Sequence, residues 1–226
     1  ALIQPSIEDT YSFGLFAGVL LQQGHWWRIF SMALCHGGII HVLFNVMAIS
    51  QLLPPFEFMI GRWRTLLLIT LTQLGAVAAH LAWYDPRTPT VGASGIAFGL
   101  IGFGLAYAHR VRNPVIRDRF LHWFIYGVIF GVFVGANNAA HVGGFVTGLP
   151  LGYWMAGRQP QGQVKAILRI AGMICLAIWA VTLLFLLNSI REEAQSKWFP
   201  KPEREQSVSM GVASKTVSEV PGSGKM

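Results

Sequence analysis

The sequence predicts an all-α polytopic membrane protein, a bundle of six membrane-spanning helices. Of its 226 residues, 53% are hydrophobic and 12% are charged, whereas a soluble domain has about 25% charged residues. The apolar residues come in long blocks separated by short, mostly basic loops, and not at the helical or strand spacing of a soluble core. Most of the chain is therefore expected to lie in a bilayer.

Six blocks approach the length of about 17 to 25 apolar residues that the hydrocarbon core of a bilayer requires. They are 37–56, 65–84, 93–109, 121–136, 139–157 and 166–188. A seventh candidate, Tyr11 to Leu21, is too short to span. The QQGHWWR sequence that follows it predicts an interfacial segment with Trp26 and Trp27 at headgroup level.

The basic residues predict how the chain is oriented. A formal net charge of +7 could suggest a nucleic-acid partner. However, the Lys and Arg residues lie in alternate loops, namely GRWR, HRVRNPVIRDR and 158–169, and do not form one amphipathic face. By the positive-inside rule these loops are cytoplasmic. The loop before the first block, the YDPRTPTVG loop and the GANNA turn are then extracytoplasmic, and no nucleic acid is expected to bind.

Four regions are predicted along the chain. Residues 1–36 form an extracytoplasmic or interfacial loop, 37–157 the core, 158–190 a linker and an additional transmembrane helix, and 191–226 a polar, disordered tail. Neither a metal nor a cofactor is expected, because Cys35 and Cys175 are far apart and no HExxH motif is present.

Polar side chains inside lipid usually face the bundle interior or a watery cavity, so each one is a candidate for function. His36, His41 and Asn45 belong to the first block or its start, Ser94 begins the third and His141 lies in the fifth. The predicted topology brings all of them to the extracytoplasmic side. His41 and Asn45 are one helical turn apart and can point into one space.

Ser94 begins a block of about 16 residues, roughly 24 Å long at 1.5 Å per residue, which is shorter than the hydrocarbon core of about 30 Å. The loop before it contains two prolines, and irregular backbone is tolerated at membrane depth only where it lines a cavity. We therefore expect Ser94 at the floor of a water-filled cavity. The alternative for this motif is that Ser94 and its neighbouring glycines only allow close helix packing.

Two rows of glycine connect Ser94 with His141. His141, Gly144 and Gly148 form one helical stripe, and Gly95, Gly99 and Gly102 form another. Contact between the stripes would carry His141 towards Ser94, where a neutral histidine could take the serine proton. The blocks contain almost no Asp or Glu, so a dyad is predicted, with oxyanion donors from His41, the Asn45 amide and the Ser94 N–H.

Over residues 20–157 these motifs resemble the rhomboid family of intramembrane serine proteases. The matching residues are the WR pair (Trp27, Arg28), H-x4-H-x3-N (His36, His41, Asn45), G-x-S-G (Gly92, Ser94, Gly95) and A-H-x-G-G-x-x-x-G (Ala140, His141, Gly143, Gly144, Gly148). The resemblance implies a rhomboid-like bundle with a Ser94–His141 dyad, an oxyanion site at His41 and Asn45, a structural His36, and an Arg28-bearing loop partly in the outer leaflet. It also implies cleavage of substrate transmembrane segments near their extracytoplasmic end, after small residues.

Two features depart from the family pattern. Phe98 stands where many members have a tyrosine, so stacking on the histidine is retained without the hydroxyl. No spanning segment precedes the Trp–Arg pair, so this chain is expected to be an N-terminally truncated fragment without the first core helix. Its six helices are then core helices two to six plus one extra C-terminal helix, in the plasma or inner membrane if the source is bacterial.

Three other functions fit parts of the sequence. A catalytically silent rhomboid-like chaperone or adaptor would share the packing glycines, but such proteins usually lack the serine or the histidine. A transporter would be expected to show an inverted repeat or paired interrupted helices, and neither is evident. A zinc protease would need an acidic general base beside its histidines, and this chain has none there.

Overall fold

The computed structural model describes residues 5–133, 135–157 and 159–198. In that part of the chain the secondary structure is helical apart from one isolated bridge between Phe16 and Thr90. Three short helices come first and six long ones follow. They are α1 Ile7–Ser12, α2 Gly18–Gln22, α3 Arg28–Ser31, α4 Ile39–Ile60, α5 Arg62–Trp83, α6 Ser94–Arg110, α7 Pro114–Phe133, α8 Asn138–Met155 and α9 Gly162–Trp198.

The six long helices coincide with the six predicted blocks, with differences at their ends. Helix α4 continues to Ile60 although Pro54 and Pro55 lie inside it, because neighbouring groups can compensate for prolines in membrane helices. Helix α9 continues to Trp198. The expectation of disorder from residue 191 is therefore wrong for 191–198, where REEAQSK supplies good helix formers; the remainder of the predicted tail lies outside the described residues.

Among the residues that the structure describes, three helices are long and apolar enough to cross a membrane by length and composition. They are Ile39–Ile60, Arg62–Trp83 and Gly162–Gln195 within α9. Helix α6 has only 17 residues, or about 26 Å of rise. It is surrounded by protein, since residues 95–104 are all buried, and it packs between α5, α7 and α8.

Glycines set the distance between α6 and α8. A Cβ added to Gly144 would collide with the carbonyl oxygen of Gly95, and one added to Gly148 would collide with that of Gly99. A side chain at Gly102 would likewise strike the Phe145 carbonyl. The two predicted rows therefore lie against each other with backbone touching backbone, the arrangement that small residues allow in membrane helices.

The segment before α4 is held by a buried arginine. Arg28 donates hydrogen bonds from Nη1 to the carbonyl oxygens of Tyr11 (2.7 Å) and Leu15 (2.9 Å), and its guanidinium lies over the rings of Tyr11 and Trp27. Residues 11–21 accordingly form pieces of two short helices and no spanning one. Trp27 is only 5% exposed and Trp26 is 41% exposed. Protein therefore encloses the Trp27 indole, whereas that of Trp26 is exposed; the expectation that both lie at headgroup level stays a prediction.

Helix α9 packs on this segment through aromatic rings. Phe185 stacks on Trp27, with ring centroids 6.3 Å apart, and meets the edge of Trp26. Six residues earlier, Trp179 contacts Phe30 and donates from Nε1 to Thr70 Oγ1 on α5 (3.0 Å). Helix α9, the predicted additional helix, therefore clamps the segment around Trp27 and Arg28, called the Trp–Arg segment below, against α5.

Replacing Phe185 with alanine should loosen this clamp. Aromatic pairs contribute about 0.5 to 1.5 kcal/mol beyond the area they bury, so we expect the variant to lose about 1 to 2 kcal/mol of unfolding free energy. Thermal unfolding in detergent and protease cleavage within residues 22–36 measure the change. The control is Leu184→Ala at the preceding, more exposed position of α9. Equal stability of the two variants would refute the clamp.

Candidate active site

Ser94 is the first residue of α6, and the turn before it requires glycine. Gly92 has φ +110°, in the left-handed region that favours glycine. A Cβ there would approach His41 Nε2 at 2.6 Å. The Gly92 N–H donates to the Met32 carbonyl at 2.7 Å, which ties the turn to the Trp–Arg segment. The turn that presents Ser94 is thus held by His41 on one side and by the hydrogen bond to Met32 on the other.

His141 reaches Ser94 from the first turn of α8. Its Nε2 is 2.8 Å from Ser94 Oγ, and the residue is 6% exposed. The imidazole stacks on Phe98, with centroids 4.3 Å apart and planes 10° apart. Within the described residues, Nδ1 has no hydrogen-bond partner. An Nε2 that accepts the Ser94 proton implies hydrogen on Nδ1, so ring stacking rather than a carboxylate orients this histidine.

His41 and Asn45 lie across the turn from the Ser94–His141 pair, on α4. Asn45 is buried and donates from Nδ2 to the His41 carbonyl at 2.9 Å. The His41 ring faces Gly92, as the short distance to a built Cβ indicates. Both residues therefore bring N–H groups towards the turn that carries Ser94, where oxyanion donors would be needed.

His36 supports this arrangement from behind. Its ring meets the edge of the His41 ring, with centroids 5.1 Å apart. Burial, and to a lesser extent the nearby His41, lower the pKa of His36 to about 4. His36 is therefore neutral at pH 7 and acts as a packing partner of His41.

A cavity of about 1440 Å³ opens above the pair. Helices α4 and α7 form two of its walls and touch through Phe44 and Phe130, whose rings are 4.0 Å apart. Ser94, His141, His41 and Asn45 all line it. Its volume exceeds the roughly 300 to 1,000 Å³ of common small-molecule pockets, so a polypeptide segment would fit.

The other predicted residues lie in the supporting structure. Gly95, Gly144 and Gly148 pack α6 on α8, while Trp27 and Arg28 build the segment that Gly92 contacts through Met32. In the part of the chain that the structure describes, no cluster of three or more His, Cys, Asp or Glu side chains could hold a metal ion.

Sequence reasoning missed one polar cluster beside the site, made by His80, Thr90 and Asn137. Asn137 Nδ2 is 2.7 Å from His80 Nδ1 and 2.9 Å from Thr90 Oγ1. The signal that could have found it is His80 itself, an ionisable residue in the second apolar block.

The apolar helices define a multi-pass, all-helical membrane protein, and a Ser–His pair lies inside its bundle. The rhomboid domain family matches residues 23–158, more than half of the chain. The chain therefore belongs to the rhomboid family.

Named relatives agree with this assignment. Rhomboid protease GluP of Bacillus subtilis (strain 168) is 31% identical over 173 residues, covering 73% of this chain and 34% of the relative. RHOMBOID-like protein 5 of Arabidopsis thaliana is 29% identical, covering 73% and 55%. Rhomboid protease GlpG of Pectobacterium atrosepticum is 30% identical, covering 59% and 50%. The chain thus spans between about a third and just over half of the length of these relatives.

Proposed function

We propose that the protein is an intramembrane serine endopeptidase that cleaves transmembrane segments of other membrane proteins near the extracytoplasmic face. The 2.8 Å contact between Ser94 Oγ and His141 Nε2, at the floor of a cavity in a helix bundle, is the observation that carries the proposal. Two of the relatives above are named rhomboid proteases, which supports the same reaction class.

In the proposed reaction, His141 acts as general base and then as general acid. Nε2 accepts the hydroxyl proton as Ser94 Oγ attacks the scissile carbonyl carbon. The tetrahedral intermediate collapses, the C–N bond breaks and Nε2 returns the proton to the leaving amine. Water then attacks the acyl-enzyme in the same way, which releases a carboxylic acid and restores the free serine.

The developing oxyanion needs hydrogen-bond donors where its charge forms. The His41 ring N–H, the Asn45 amide and the backbone N–H of Ser94 are the proposed donors. Asn45 is already held by the His41 carbonyl, so its amide is pre-oriented. Phe98 stacks on the His141 ring and holds its plane. Among the described residues no carboxylate bonds to Nδ1, in keeping with a dyad.

The proposed topology places all six long helices across the bilayer, as core helices two to six followed by the extra helix α9. Residues 37–157 form the catalytic core, 1–36 the preceding interfacial loop and 158–190 the linker with the additional helix. The active-site cavity opens to the extracytoplasmic side. Substrate is cut after small residues.

Labelling with a serine-directed fluorophosphonate tests the proposal. The detergent-solubilised protein should form a covalent adduct, and Ser94→Ala should abolish it because the nucleophile is gone. Ser50→Ala is the control, since Ser50 is an exposed hydroxyl on α4, and it should label as the wild type does. Persistent labelling of Ser94→Ala would overturn the assignment, and a folded wild type that never labels would favour a silent chaperone or adaptor.

A further inference from the structure

The polar cluster of His80, Thr90 and Asn137 joins the two chain segments that supply Ser94 and His141. His80 comes from α5 and is 1% exposed, buried between the rings of Phe16 and Tyr84. Thr90 belongs to the loop that leads to Ser94, and Asn137 is the N-cap residue of α8. Three separate segments therefore meet in one set of hydrogen bonds.

The hydrogen-bond roles in this cluster follow from one backbone donor. The Ala140 N–H can only donate, so the Asn137 atom 3.0 Å away must be Oδ1. The Asn137 Nδ2 group then faces His80 Nδ1 and Thr90 Oγ1 and donates to both. His80 Nδ1 must consequently accept, which puts the ring hydrogen on Nε2, 3.2 Å from the Thr88 carbonyl oxygen. His80 is neutral, with a single tautomer.

Each end of the cluster is four residues from the dyad, Thr90 from Ser94 and Asn137 from His141. The His141 N–H donates to the Asn137 carbonyl at 3.2 Å, so the cap residue sets where the first turn of α8 begins. Thr90 lies two residues before Gly92 and is paired through its own backbone with Phe16. A shift between Thr90 and Asn137 would change the distance between Ser94 and His141.

We propose that His80 and Asn137 are positioning residues that hold Ser94 and His141 at reacting distance through the Thr90 loop and the first turn of α8. The inference rests on the function proposed above. Asn137 lines the cavity and His80 does not, but neither side chain hydrogen-bonds to Ser94 or His141, so each acts through the backbone it anchors. A misplacement of about 1 Å can lower an enzymatic rate by roughly 10²-fold, so loss of the cluster should lower kcat.

Asn137→Asp separates positioning from helix capping. Aspartate still accepts the Ala140 N–H and is a good N-cap residue, but it cannot donate to a neutral His80. We expect kcat for cleavage of a transmembrane peptide, and the rate of fluorophosphonate labelling at Ser94, to fall by about 10- to 100-fold while KM stays within about twofold. The matched control is Asn113→Asp, an N-cap on α7 whose side chain accepts the Ile116 N–H; it should leave both rates unchanged.

Variants of His80 test the other partner. His80→Phe keeps the ring between Phe16 and Tyr84 but removes the acceptor, and it should lose as much rate as Asn137→Asp. His80→Asn places a carbonyl oxygen near the Nδ1 position and should recover most of that loss. In the double variant His80→Phe/Asn137→Asp the losses should not add, because both remove the same contact.

The outcomes separate this inference from the proposed function. A wild type that labels, together with an Asn137→Asp protein that labels equally fast, would overturn the positioning role and leave the protease assignment intact. Folded His80→Asn and His80→Phe proteins with the same low rate would also overturn it. A folded wild type without labelling would overturn both.

Discussion

Replacing His141 with alanine is expected to lower the rate of peptide-bond cleavage by about 10²- to 10⁴-fold, the usual contribution of a general acid–base residue. The reason is that Ser94 Oγ loses the base that lies 2.8 Å away and is proposed to take its proton. KM should change little, because the ring lies at the floor of the cavity and does not bind the length of a substrate helix. Cleavage of a fluorogenic transmembrane peptide in detergent gives both constants.

His109→Ala is the control for this substitution. His109 is an exposed histidine near the C-terminal end of α6, whereas Ser94 begins that helix. Its loss should leave cleavage unchanged. Comparable activity in the His141 and His109 variants would remove His141 from the reaction, whatever its distance from Ser94.

Replacing Gly144 is expected to have the largest effect on stability. A Cβ at this position collides with the Gly95 carbonyl oxygen, and backbone cannot move aside as a flexible side chain can. Overpacking usually costs about 1 to 3 kcal/mol; because the neighbour is backbone, we expect Gly144→Ala to lie at the upper end and Gly144→Val to exceed it. Activity should fall with stability, since separation of α6 and α8 also separates Ser94 from His141.

Val146→Ile is the matched control, since it also adds one carbon to α8. Val146 is 55% exposed, so the extra methylene points into open space. Thermal midpoints measured in one detergent compare the variants. If Gly144→Ala and Val146→Ile unfold at the same temperature, close contact of the glycine rows is not what holds α8 against α6.

The sequence predicted the features that depend on local pattern. Long apolar blocks located the six long helices, because a bilayer core requires lengths of that order. The spacing of Gly144 and Gly148 against Gly95 and Gly99 predicted which faces of α6 and α8 meet. The short block that starts at Ser94 predicted a helix beginning inside the protein, and α6 does begin there.

Features that depend on distant segments could not be predicted. Nothing near Trp27 in the chain indicates that Phe185, more than 150 residues later, covers it. The partnership of His80 with Asn137 likewise joins positions 57 residues apart, and only the packing of α5 beside α8 reveals it. Helix propensity extends α9 through 191–198, where polarity alone suggested disorder.

The stack of Phe98 on His141 has a consequence for where this chemistry can take place. A carboxylate partner would have to be stripped of water before it could orient a histidine inside a bundle, and desolvating an ion is unfavourable. An aromatic ring has no ionic hydration to lose. Because Phe98 carries no charge, added salt does not screen its contact with the ring, and acid does not protonate it as it would a carboxylate. The orientation of the proposed base is thereby uncoupled from the ionic conditions at the membrane surface.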